Sequence, residues 1–94
     1  MFSERGKYHR RILRGEVLRL LRKKAGFEKI YEFAKVLGID QSQYTKYENG
    51  GNITINKLDS ILDYHKVSPG QYGTMVDDLI LGKLKREQEK KENK

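Results

Sequence analysis

The chain has 94 residues, no cysteine, and a net charge of +7 from 20 Lys or Arg against 13 Asp or Glu. That length holds one small core and no cleft between domains, and without cysteine there are no disulfides or thiolate metal sites. The apolar runs are too short to span a membrane, and residues 1–14 are charged where a secretory signal is apolar, which leads us to expect a cytoplasmic protein.

The charge is unevenly placed. Residues 1–24 carry nine Lys or Arg against only Glu4 and Glu16, and the rest of the chain is nearly balanced. A basic segment on a small domain fits a polyanion partner or, equally, a solubilising arm. Arg10, Arg11 and Arg14 are its candidates for backbone phosphate contact. The arm ends as either a disordered lead or an early helical extension.

The periodicity is helical throughout. Leu13, Val17, Leu18, Leu20, Leu21 and Ala25 form a first stripe, stopped by Gly26. Ile30, Phe33, Ala34 and Leu37 form a short second one, closed by Gly38. Asp40 is a good N-cap for a third helix over residues 41–48, and Asn49-Gly50-Gly51-Asn52 breaks it. Thr54 caps a fourth helix with Ile55, Leu58, Ile61, Leu62 and Tyr64 as inward candidates. Ser68-Pro69 opens a very short fifth, with Tyr72 turned to the core and Gly73 as its end. Met75, Val76, Leu79, Ile80 and Leu84 make a last amphipathic helix, packed on its own core or serving as a dimer seam. It is expected to fray over residues 85–94. The expected fold is all-α: a compact five-helix bundle with a C-terminal amphipathic helix. We divide it into a basic arm (1–12), a central domain (13–72) and a C-terminal helix with charged tail (73–94).

Residues 30–49 are the informative stretch. Two short helices joined by a tight turn need a small residue where they cross, and Ala34 supplies it. The turn needs a residue that tolerates left-handed geometry, and Gly38 stands there. Tyr44 and Tyr47 sit one turn apart and are read as core, with nucleic-acid stacking as the alternative. The other face, Gln41, Ser42, Gln43, Thr45 and Lys46, is polar and suits base edges and phosphates.

Arg22, Phe33-Ala34, Gly38 and Glu48-Asn49-Gly50, in register and followed by matching helices over residues 54–72, resemble the Cro/repressor-type (XRE) helix-turn-helix family. The resemblance covers about residues 13–72 and implies a repressor-like bundle whose partner is double-stranded DNA. It implies that Gln41, Ser42 and Lys46 face bases, that Gln43 flanks them as a further base contact, and that Thr45 flanks them at the backbone. It places Asn49, Asn52 and the start of the second helix at phosphates. Lys29 and Tyr31 stand nearest the position where the family's second helix opens with Ser-Gln. It also pairs Arg22 with Glu48 as a structural, partly buried ion pair. Three departures bear on docking: one extra residue between Gly26 and Ala34, tyrosines where the family has aliphatic residues, and no proline after Gly50.

The function this implies is sequence-specific DNA binding by a transcriptional regulator, as a homodimer on paired half-sites. The alternative is an antitoxin or other protein-interaction module on the same scaffold, with a toxin-like partner on residues 75–94. An RNA-associated factor is less favoured, since single-strand RNA modules present aromatics on sheets. No cofactor is expected. No metal-ligand cluster, nucleophile–base pair or phosphate-cradling glycine loop argues for an enzyme.

Overall fold

The computed structural model describes residues 10–92, with side chains through residue 82. Five helices follow one another: α1 (Arg10–Lys24), α2 (Ile30–Leu37), α3 (Gln41–Glu48), α4 (Ile55–His65) and α5 (Pro69–Glu92). No strand occurs among the described residues. No helix among them is long and apolar enough to cross a membrane.

Each of the first four helices stops by the same device. A residue one or two positions past the helix turns left-handed, and two successive amides bond back to the last turn. The turning residues are Gly26 (φ 95°), Gly38 (φ 71°), Gly50 (φ 90°) and Lys66 (φ 57°). The pairs of bonds are Gly26 to Lys23 with Phe27 to Arg22, Gly38 to Lys35 with Ile39 to Ala34, Gly50 to Tyr47 with Gly51 to Lys46, and Lys66 to Asp63 with Val67 to Leu62. The starts are capped as expected. Asp40 accepts from the Gln43 amide at 3.3 Å and Thr54 from the Lys57 amide at 3.2 Å. Ser68 and Gln71 bond reciprocally, amide to side chain, at 2.9 and 3.1 Å. With Pro69 at the first helical position, this is a capping box.

One core joins all five helices: Leu13, Val17, Leu18 and Leu21 of α1, Phe33 and Ala34 of α2, Tyr44 and Tyr47 of α3, Ile61 and Leu62 of α4, Tyr72 and Val76 of α5. Helix α1 is the hub and packs against both α3 and α5.

The sequence reading needs four corrections. Gly73 does not end a helix; α5 runs through it, because Tyr72, Met75, Val76, Leu79 and Ile80 form one unbroken stripe that packs on or into the core. Residues 85–92 continue that helix, consistent with a run of good helix formers free of Gly and Pro. Ile55 is not inward but 76% exposed; as the first residue of α4 it sits at the rim, leaving the core to Ile61 and Leu62. Leu20 and Tyr64 are exposed as well, because α1 and α4 bury only one face, and so is Ala25, in the turn after α1. Of the two readings of the arm, Arg10 follows the helical extension: it belongs to α1, and its guanidinium bonds Asp77 of α5 at 2.7 Å. The boundaries drawn at 12/13 and 72/73 both fall inside helices. The arm residues 1–9 lie outside the described residues.

Candidate nucleic-acid interface

The α2–turn–α3 unit is fixed from behind. Phe33 and Tyr44 are fully buried, with ring centroids 5.5 Å apart, edge to face, a favourable aromatic arrangement. Tyr47 is buried one turn further on. The tyrosines are therefore core residues, and stacking on nucleic acid is ruled out for both. Burial, with the Glu48 carboxylate beside it, pushes the Tyr44 hydroxyl far above its ordinary pKa.

Arg22 and Glu48 form the expected ion pair, deeper than expected, with side chains only 4% and 3% exposed. The guanidinium donates to both carboxylate oxygens, Nε to Oε2 at 2.7 Å and Nη2 to Oε1 at 3.1 Å. Its Nη1 donates to the carbonyls of Phe27 and Glu28, each at 2.8 Å. One side chain thus ties α1 to the end of α3 and also holds the α1–α2 loop. The Glu48 bond raises the Arg22 pKa above its usual value against the opposing effect of burial, so the charge is permanent.

Gly15 makes a contact that sequence reasoning missed. A Cβ there would overlap the Glu48 carbonyl oxygen and stand 2.8 Å from the Gly50 nitrogen. Helix α1 therefore meets the end of α3 backbone to backbone. An isolated glycine within a helical stripe was the available signal.

With its back fixed, α3 presents Gln41, Ser42, Gln43 and Lys46 outward, all exposed. Thr45 lies between them, half-buried, its hydroxyl donating to the Gln41 carbonyl at 2.8 Å. At the start of α2, Lys29 is the N-cap residue and its ammonium sits 5.9 Å from the centroid of the half-exposed Tyr31 ring. The two residues expected near a phosphate there are thus neighbours. Asn49 and Asn52 are exposed on the loop after α3.

That loop carries no cation between Lys46 and Lys57. The structure supplies them from elsewhere. Arg11 and Arg14 of α1 line one open cavity of about 240 Å³ together with Gly51 and Asn52, over an apolar floor that includes Tyr47 and Leu58. Arg10 is not brought into this group, being drawn onto α5 by Asp77. Among the described residues, no cluster of His, Asp or Glu could hold a metal ion.

Searches of curated proteins and of solved structures found no significant match. A helix-turn-helix family model matches residues 18–72, more than half of the chain. The matched span holds the crossing at Ala34, the Gly38 turn, the Arg22–Glu48 pair and the exposed face of α3. By both its fold and this match, the chain belongs to the Cro/C1-type (XRE) helix-turn-helix family of DNA-binding proteins.

Proposed function

We propose that this chain binds double-stranded DNA sequence-specifically, as a homodimer on a partly palindromic site, and regulates transcription there. The observation that carries this reading is the division of α3 into two faces. Tyr44, Tyr47 and Glu48 are locked into the core, while the side chains of Gln41, Ser42, Gln43 and Lys46 are exposed. Amide and ammonium groups of this kind pair with base edges in the major groove. Lys29, Tyr31, Asn49, Asn52, Arg11 and Arg14 flank that face and take the phosphates, which fix register without reading sequence. Helix α5, with Leu81 exposed on it, is our choice for the dimer contact.

Selection of bound sequences from a random duplex pool, at about physiological salt, tests this directly. A two-fold-related motif with half-site centres about one turn, ~34 Å, apart is the expected result. In such a site Gln41→Ala costs about 1–3 kcal/mol and relaxes preference at one position. Arg14→Ala weakens all sequences and lowers the salt slope by about 1. An unchanged preferred sequence in Gln41→Ala would move the reading face elsewhere. Binding without any motif would reduce the basic groups to non-specific contact.

A further inference from the structure

One side chain on the outer part of α3 departs from its neighbours. Gln41, Ser42, Gln43 and Lys46 are exposed, whereas Thr45 is half-buried with its Oγ1 2.8 Å from the Gln41 carbonyl oxygen. A threonine hydroxyl has one proton. A carbonyl oxygen only accepts, so Thr45 donates that proton to its own helix. Phosphate oxygens also only accept. In this state Thr45 has nothing to donate to a backbone phosphate, the partner its sequence position suggested. What remains to offer are the acceptor lone pairs of the hydroxyl and the other branch of its Cβ, the γ-methyl.

Thr45 lies four residues after Gln41 and three after Ser42, the spacing that puts three side chains on one face of a helix. A face that reads base edges through Gln41 and Ser42 therefore includes Thr45. In the major groove the C5-methyl of thymine is the apolar feature among hydrogen-bonding edges, and a threonine methyl is one of the groups that packs on it. We propose that Thr45 is a specificity residue that recognises thymine through its γ-methyl while its hydroxyl stays bonded to Gln41. This rests on the DNA-reading role proposed above for α3.

The test uses the full chain and the motif selected from random duplex DNA. Each thymine of that motif is replaced singly by deoxyuridine, which removes only the C5-methyl. Wild type and Thr45→Val, which keeps the methyl and loses the hydroxyl, should each lose about fourfold in affinity at the same one thymine per half-site, the worth of one buried methyl. Thr45→Ser, which keeps the hydroxyl and loses the methyl, should bind the thymine and uracil duplexes equally at that position. Three results overturn the proposal: no position sensitive to uracil in wild type, equal sensitivity in Thr45→Ser, or a uniform loss in Thr45→Val for every sequence, which would return the hydroxyl to a phosphate. Each of these leaves specific binding standing. Failure to select any motif removes the DNA-reading role and this inference together.

Discussion

Arg22 shows how much a single side chain carries in so small a domain. Four of its five N–H groups are used, two on Glu48 and two on the carbonyls of the α1–α2 loop. Removing one partner of such a pair strands a buried charge, so Glu48→Ala should cost about 3–5 kcal/mol. The Arg10–Asp77 pair has the same 2.7 Å separation, but its side chains are 60% and 53% exposed. Asp77→Ala should therefore cost no more than about 1 kcal/mol. Denaturant midpoints of the two variants decide the matter, and equal midpoints would mean that burial is not what distinguishes the pairs. The Arg22–Glu48 pairing was legible only through the family resemblance. Its depth was not, because depth depends on Tyr44 and on the loop carbonyls packed around it. For the same reason the nearness of Arg11 and Arg14 to Asn52 could not be read from the chain, where they lie far apart.

At the scale of the helix, glycine has two meanings that local sequence does not separate. Gly26 and Gly38 were legible as stops because the apolar stripes end at them, and Gly50 because it stands in an Asn-Gly-Gly-Asn run that accepts positive φ. Gly73 looked alike, yet the stripe continues past it. It has no left-handed φ, and a Cβ there would meet nothing within 4 Å. Alanine fits that space and removes the entropic cost of glycine in a helix, so Gly73→Ala should stabilise the fold by about 0.5–1 kcal/mol. The converse holds at the end of α4, a stop no sequence signal marked. Lys66 is the described non-glycine residue held at positive φ, and Lys66→Gly relieves that strain. Thermal melts should rise for both variants, and a fall for either would mean that its backbone is not as described.

For the molecule as a whole, stability should narrow at both ends of the pH scale. His65 is half-buried at the end of α4, beside Phe33 and Tyr64, its Nε2 without a hydrogen-bond partner among the described residues. Burial lowers its pKa below 6.5, and Lys24 is the charged group sharing the adjoining cavity. As pH falls through 6.5 the unfolded chain takes the proton first, so stability drops on that side and is fully present above it. Tyr72 acts oppositely. Its hydroxyl donates to the Arg14 carbonyl at 3.0 Å, and burial raises its pKa from 10 to about 12. Above pH 10 the unfolded chain ionises first, and the fold loses stability between pH 10 and about 12. Urea midpoints against pH should show an acid limb that His65→Gln flattens and an alkaline limb, shared with the buried Tyr44 hydroxyl, whose slope between pH 10 and about 12 Tyr72→Phe roughly halves. If His65→Gln leaves the acid limb unchanged, carboxylates are its source.

The Gly15 contact has a mechanical consequence. Helix α5 grips α1 through Tyr72 and Asp77, and at Gly15 α1 meets the end of α3 backbone to backbone. Side-chain layers yield by changing rotamer, and two backbones in contact cannot. A displacement of α5 would therefore reach α3 with little lost on the way. In a dimer joined through α5, the tail helix and α1 would act as a stiff ruler, and the gap between two half-sites would be a length set by the protein with little slack.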